Sequence, residues 1–413
     1  MSSVDPGFPE SAVSRRWLSI VGIGEDGVDG LSPVARGLIG DAEIVFGGKR
    51  HLTLAGSLIR GESQPWPSPV DGAVDGVLAQ RGRQVCVLAS GDPFFYGVGA
   101  VLARRIDPAE MLAVPAPSAF SLAAARLGWP LQETAQVSLH GRAIDLVRPH
   151  LQPGMRVLAL TSDGAGPLAL ARLLSDAGFG ASSLTVLEAL GGEREQIRTA
   201  TARTFDLGDI GDLNVVAIVV QAGHDARIIA RTAGLPDAMF EHDGQITKRE
   251  IRAITLSALA PRRGELLWDI GSGSGSIAIE WMLADPSLRA IAIERRPARV
   301  ARIRRNAAAF GVPGLEVVEG EAPGVLQDLP APDAVFIGGG AEASVDIALS
   351  RLRGRGRLVA NAVSLETESL LLVRYATLGG ELTRVAVTRA DAVGGKTGWR
   401  PALPVTQWTW IKP

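Results

Sequence analysis

Glu265–Gly275 reads ELLWDIGSGSG, and this stretch decides the fold. Leu266, Leu267, Trp268 and Ile270 form an apolar run of strand length, with Asp269 near its end. Gly271-Ser272-Gly273-Ser274-Gly275 follows, and Ile277, Ile279, Trp281 and Met282 then mark a helix over Ser276–Ala284. A strand, a glycine turn and a helix start make a βα crevice for a nucleotide-like ligand. Glycine is needed there because a Cβ would block both the tight turn and the approach of a ligand to the backbone. The next strand, Arg289–Glu294 (RAIAIE), ends in Glu294, 25 residues after Asp269. A carboxylate at that strand end accepts both hydroxyls of a ribose and repels a phosphate-bearing one.

Two cofactors compete for the pattern. A dinucleotide fingerprint wants G-x-G-x-x-G, and the third glycine position here is Ser276. The chain instead offers D-x-G-x-G-x-G, Asp269 through Gly275, which resembles motif I of the Rossmann-like S-adenosylmethionine-dependent methyltransferases. That resemblance implies a methyl-donor site at Asp269, Gly271, Ser272, Gly273, Ser274, Gly275 and Glu294. The bland alternative is a turn that needs glycines only for its own geometry. Asp269 ahead of the turn and Glu294 at the right distance behind it weigh against that.

Length and composition bound the rest. At 413 residues, 46% of them hydrophobic, the chain suits two or three soluble globular domains. A net charge of −2 argues against a general nucleic-acid binder. The single cysteine, Cys86, lies inside the apolar run Val85–Ala89, reads as core packing rather than a nucleophile, and fits a reducing cytosol. No apolar run approaches the ~18–20 residues that span a bilayer, so no membrane partner is expected. Residues 1–14 lack an apolar signal region and read as a disordered lead. His51, His140, His150, His224 and His242 are scattered without metal-ligand spacing, so no metal is expected.

The reading in chain order is α/β throughout. Trp17–Gly24 is a buried strand, and Ser32-Pro33 caps and opens a helix. Ala42–Phe46, Val85–Ala89 and Met111–Val114 are further strands. Gly61–Asp71, with Pro65, Pro67 and Pro69, reads as loop. Ser118 caps a helix running through Arg126. Beyond Gly128-Trp129-Pro130 the alternation gives way to a mixed sheet: Val137–His140, Met155–Thr161, Leu184–Ala189, Gln196–Thr201 and Asn214–Gln221, with a helix over Gly166–Ala177. A subdomain border is therefore placed near residues 125–130, giving subdomains of about 15–127 and 128–225.

VGIGEDG, ASGDPFFYG, PAPSAFSLAAARLGWP, VSLHGR and EALGGEREQI, arriving in that order, resemble the tetrapyrrole (corrin and uroporphyrin) methyltransferases, most closely their carbon-5 methylating branch. The likeness covers about residues 15–222 and implies a methyl donor held between the two subdomains. The family's glycine-aspartate-proline element falls on Gly91, Asp92 and Pro93, and its P-G-x-S-S element on Pro115–Ala119. Ala116 replaces glycine and Ala119 replaces the second serine, so contacts carried to those two positions are backbone contacts, beside Ser118. Standing alone, Asp92 reads equally well as a helix-capping acid.

His224–Phe240 reads as a polar linker, followed by a domain over 235–413. Thr247 and Glu250 read as a capping box, with Ile246 and Ile251 as its hydrophobic staple and Ile251, Ile254, Ala258 and Leu259 as the buried face. After Glu294, a helix over Pro297–Phe310 carries an arginine run that reads as a solvated face. Leu315–Glu319, Asp333–Ile337, Gly356–Asn361, Leu382–Thr388 and Val405–Ile411 complete seven strands, the last inserted antiparallel.

ITKREIRAITLSAL, DIGSGSG, EGEAP and DAVFIGGG resemble the decarboxylating corrin methyltransferases. In many of them a cysteine stands where this chain has Ser272, so that thiol is not required. The resemblance adds Thr247, Glu321 and Ala322 to the donor site. Lys248, Arg249, Gly338, Gly339, Gly340 and Arg353 are the candidates for substrate contact. Together the two likenesses imply S-adenosylmethionine in each half and a small-molecule tetrapyrrole substrate. They imply methylation of a reduced precorrin at carbons 5 and 15, with loss of carbon dioxide from the ring C acetate, in cobalamin synthesis. A cytoplasmic homo-oligomer is expected. Methyl transfer needs no Ser-His-Asp arrangement, and no proton donor or acceptor can be named from the sequence. The rival readings are an RNA methyltransferase with an N-terminal recognition module, a nicotinamide-dependent oxidoreductase, and a non-catalytic donor sensor.

Overall fold

Three sheets take up the long apolar runs of the chain. The computed structural model describes residues 16–67, 73–339 and 341–413, so the lead at 1–14 lies outside the described residues. Two compact units emerge. One holds the described residues up to Ile144 together with Gln152–Ala226; the other holds Arg227–Pro413 together with Asp145–Leu151.

In the first unit, β1 (Leu18–Ile23), β2 (Ile44–Gly47), β3 (Glu62–Pro65), β4 (Val85–Ser90) and β5 (Met111–Val114) form a parallel sheet of order β3-β2-β4-β1-β5. β3 corrects the reading of 61–71 as all loop. It is a polar edge strand, where Pro65 at the terminus forfeits no ladder bond that the sheet needs. Ser32 and Ser118 cap their helices as expected, accepting from the amides of Ala35 and Ser121. The second sheet, β6 (Thr134–Ser138), β7 (Arg156–Leu160), β8 (Ser183–Glu188), β9 (Gln196–Thr201) and β10 (Asn214–Val219), has order β6-β7-β10-β8-β9. It is mixed, as expected, with one parallel pair, β6 with β7. β6 begins three residues earlier than the reading placed it.

The second unit carries β11 (Leu266–Ile270), β12 (Arg289–Glu294), β13 (Glu316–Glu319), β14 (Ala334–Ile337), β15 (Arg357–Ala362) and β16 (Glu381–Val385). A small hairpin follows, β17 (Thr388–Val393) with β18 (Lys396–Pro401), and then β19 (Val405–Ile411). The sheet order is β13-β12-β11-β14-β15-β19-β16, with β19 antiparallel to both its neighbours. Alternate side chains feed two cores: Leu267, Ala292 and Phe336 on one face, Trp268, Ile270 and Ile293 on the other. The reading of Leu382–Thr388 as one strand is corrected, because the chain leaves the sheet after Val385 to make the hairpin.

Residues 227–240, read as a linker, are packed: Ile229, Leu235 and Phe240 lie in the core of the second unit. The helix Arg249–Leu259 also departs from its reading. Lys248 is its N-cap residue, without a side-chain cap bond, and Glu250 reaches Arg389 rather than closing a box with Thr247. Ile254 is exposed, and the buried face holds Arg252 instead. Arg252 donates to Glu280 Oε1 at 2.6 Å and to the carbonyls of Thr247 and Leu235. Glu280 in turn accepts from the amides of Gly234 and Leu235 at 2.6 and 3.0 Å. A buried guanidinium survives because every strong partner it needs is built around it.

Candidate active site

Beyond the carboxyl end of β11 the strand order reverses direction, and a cavity of about 950 Å³ opens there. Gly271, Gly273 and Gly275 all have positive φ (71°, 62° and 78°), which only glycine adopts without strain. They differ in what surrounds them. A Cβ on Gly275 would stand 2.9 Å from Ile303 Cγ2, and one on Gly271 3.0 Å from the Gly339 carbonyl. Among the described residues, a Cβ on Gly273 would meet nothing nearer than the Gln245 carbonyl at 3.7 Å, so it would project into the cavity instead.

Asp269 is buried beneath the turn. Its Oδ2 accepts from Ser272 Oγ at 2.7 Å and from the Ala278 amide at 3.2 Å, while Oδ1 has no partner among the described residues. Burial pushes its carboxyl up to about 6, against the pull of those two bonds, and nearby Glu294 adds to the rise. Glu294 closes β12, its Oε2 accepting from the Gly273 amide and its Oε1 from the Arg296 amide, each at 3.0 Å. Each oxygen keeps a lone pair for a further donor.

Of the residues singled out in the sequence, Thr247, Lys248, Gly271, Ser272, Gly273, Glu294, Glu321, Ala322, Gly338 and Gly339 line this cavity. Asp269, Ser274 and Gly275 are buried and do not line it. Arg249 does not line it. Arg353 is not brought to it at all: its guanidinium binds Asp333 at the amino end of β14, the opposite edge of the sheet. Gly340 lies outside the described residues. The arginine run proves split, for Arg295, Arg296 and Arg299 face the cavity while Arg305 pairs with exposed Glu241. Sequence reasoning missed Arg389 and Arg400, which the hairpin brings to the cavity wall. Their signal was Gly394-Gly395 between two short strands, a two-residue hairpin turn.

The first unit has its own cavity of about 390 Å³, at the carboxyl ends of β1 and β4. Gly91, Ser118 and Ala119 line it; Asp92 and Pro93 do not. Asp92 Oδ1 accepts from the Phe94 amide at 2.8 Å and so caps its own turn. The strand ends touch closely: the Ala116 amide donates to the Gly91 carbonyl at 3.1 Å, and a Cβ on Gly22 would lie 1.9 Å from that carbonyl. On the cavity wall Arg50 pairs with Glu25, and its Nη2 lies 2.9 Å from both Ser90 Oγ and His51 Nε2. Ser90 Oγ and His51 Nε2 are 2.8 Å apart. Among the described residues, no group of three or more His, Cys, Asp or Glu is placed to hold a metal, and no helix is long and apolar enough to cross a membrane.

A glycine turn and a carboxylate at the end of the neighbouring strand, on a sheet whose last strand is antiparallel, define a methyltransferase of the Rossmann-like class. The comparisons narrow this. The family profile of the precorrin methyltransferase domain matches residues 238–412, and that of the tetrapyrrole (corrin/porphyrin) methylases residues 18–206. A Sinorhizobium protein named precorrin-6Y C(5,15)-methyltransferase [decarboxylating] is 61% identical over 405 residues, 98% of each chain. A Mycobacterium tuberculosis protein of the same name is 42% identical over 402 residues, 96% of this chain and 100% of its own. A Pyrobaculum calidifontis protein, named probable cobalt-precorrin-6B C(15)-methyltransferase (decarboxylating), is 35% identical over 183 residues, 42% of this chain and 93% of its own. The chain belongs to the precorrin-6Y C(5,15)-methyltransferase (decarboxylating) family. Methyltransferases of this family use S-adenosylmethionine, and the residues around Gly273 and Glu294 fit such a donor: open space where a Cβ would stand, and a carboxylate at the cavity able to accept hydroxyl donors.

Proposed function

We propose that the chain methylates a reduced precorrin at carbons 5 and 15 and removes carbon dioxide from its ring C acetate, with one S-adenosylmethionine site in each unit. The carrying observation is that each unit has its own cavity at carboxyl strand ends, beside its own glycine turn. Carbon-5 methylation is assigned to the first unit, and carbon-15 methylation with decarboxylation to the second. The Pyrobaculum relative supports this division, since its name covers only the second pair of steps and less than half of this chain accounts for 93% of it.

S-adenosylmethionine supplies an activated methyl group, so the protein's work is to align the accepting carbon and exclude water. In the second unit Thr247, Gly271–Gly273, Glu294 and Ala322 would hold the donor. In the first, Gly91, Ser118 and Ala119 would do so. The substrate's carboxylates would meet the cationic wall of the larger cavity. There Arg295, Arg299, Arg389 and Arg400 already have acidic partners, whereas Lys248 and Arg296 have no ion-pair partner among the described residues. Those two are the best placed to pair with an incoming carboxylate.

Loss of carbon dioxide and methylation of the adjacent carbon 15 alter the same conjugated electrons, so one cavity serves both. The testing experiment incubates separate fragments, 15–225 and 227–413, with reduced precorrin and S-adenosylmethionine. The second should yield a product one methyl heavier and one carbon dioxide lighter, and the first should release no carbon dioxide. Release by the first fragment would overturn the division. A homo-oligomer is supported by the exposed Leu372, Val373, Tyr375 and Leu378 on the helix Leu365–Leu378; light scattering of the purified chain would test it.

A further inference from the structure

We propose that Ser90 and His51 form the proton acceptor for carbon-5 methylation, Ser90 Oγ taking the proton from carbon and passing its own to His51 Nε2. The inference rests on the assignment of that reaction to the first unit. Its chemical need is general. An unsaturated carbon that gains a methyl and remains unsaturated must lose a proton. The new C–CH₃ bond uses a ring electron pair, the S–CH₃ pair stays on sulfur, and the C–H pair returns to the ring. One proton is left over.

The geometry points to where it goes. Arg50 Nη2 donates to Ser90 Oγ at 2.9 Å and lies 2.9 Å from His51 Nε2. A hydrogen on Nε2 would face that guanidinium, so Nε2 is the acceptor, and the Ser90 hydroxyl donates to it across 2.8 Å. Glu25 is tied to Arg50 and holds it in place. The side chain of Ser90 is exposed at the cavity, at the end of β4 directly before Gly91. The other titratable groups on the wall are differently engaged. Asp212 accepts from the Gly164 amide, the Tyr96 hydroxyl donates to the Gln136 carbonyl, and His140 Nδ1 lies 3.4 Å from the Thr161 carbonyl. Burial, and then Arg50, push His51 down to about 4, so the ring is neutral and ready at physiological pH. The same Arg50 drives the transferred proton off again.

The test uses the full chain, S-adenosylmethionine and a reduced precorrin deuterated at carbon 5. His51→Asn and Ser90→Ala should each slow carbon-5 methylation roughly 10²-fold and raise the carbon-5 isotope effect from near unity. Carbon dioxide release and carbon-15 methylation should hold. In the ligand-free protein, ¹⁵N-histidine NMR should show His51 as the neutral Nδ1–H tautomer at pH 7, with its Nε2 resonance shifted by Ser90→Ala. Slower turnover with an unchanged isotope effect would mean a structural role and overturn the proposal. So would a protonated Nε2, or an isotope effect raised by His140→Gln instead. If His51→Asn fails to fold, exposed Ser90→Ala decides alone. Ala119→Trp, which fills the cavity, separates the two levels. Undiminished carbon-5 methylation in that variant would sink the assignment to the first unit. Its loss, with isotope effects unmoved in the other two variants, would sink only the proton acceptor.

Discussion

The Gly273 amide donates to Glu294 Oε2 at 3.0 Å, so the second strand of the crevice holds the glycine turn that follows the first. The residue that would bind ribose thus also sets the shape of the loop over which the ligand would lie. Glu294→Ala should therefore weaken S-adenosylmethionine binding through lost charged hydrogen bonds of roughly 1.5–3 kcal/mol each, tenfold or more in affinity. Isothermal titration would read this, and unchanged affinity would reduce the motif to a structural turn.

The glycines should separate by phenotype. Gly273→Val places its side chain in the cavity and should abolish donor binding, with a stability loss confined to the backbone strain of a positive φ. Gly275→Val carries the same backbone strain and also drives atoms into Ile303, so it should lower the melting temperature further. Circular dichroism melts beside titration would distinguish them; equal stability losses would refute the contrast.

Asp269 makes stability depend on pH in an unusual direction. Its folded value, about 6, lies above the ordinary 3.8 of an aspartate, so between these limits the folded state binds the extra proton. Its contribution is fully present below about 4 and is lost as pH rises through about 6, by at most about 3 kcal/mol. Urea unfolding of the wild type and of Asp269→Asn, compared from pH 4 to pH 7, should show the variant gaining relative to the wild type across that window. A constant difference would refute the linkage.

Arg252→Met should destabilise the second unit by about 3–5 kcal/mol, because Glu280 would be left buried with its charge uncompensated. Pairing it with Glu280→Leu should recover part of that loss by removing the stranded carboxylate. Thermal denaturation of the single and double variants checks both expectations.

The start of the second fragment also matters. Fragment 227–413 retains Ile229, buried in the core, and Arg227, whose guanidinium sits 4.7 Å from the Phe310 ring centroid. Fragment 235–413 loses both and should be less stable by about 2 kcal/mol or more from the Ile229 side chain alone. Identical melting of the two fragments would contradict this.

The parts of the molecule legible in sequence were those whose signal is local. β11, its glycine turn and Glu294 announce themselves through apolar runs and glycine spacing, and Ser118 through its place before a helix. β3 and the hairpin β17–β18 did not, because their side chains are mostly exposed and carry no buried alternation. Arg252 resembles any surface arginine until Glu280, 28 residues away, is seen beside it. The contact between His51 and Ser90 spans 39 residues and two strands, beyond the reach of any spacing rule.

The hairpin leaves the large sheet between β16 and β19, strands that already pair side by side and antiparallel. Neighbours of that kind can be joined by a turn of a few residues, so residues 386–404 are not needed to close the sheet. They are a graft on its margin, a separate two-stranded sheet whose pairing shares no ladder with the strands that hold the glycine turn and Glu294. Arg389 and Arg400 stand on that graft and face the cavity. One wall of the cavity can therefore change on the margin of the domain without disturbing the turn at its centre.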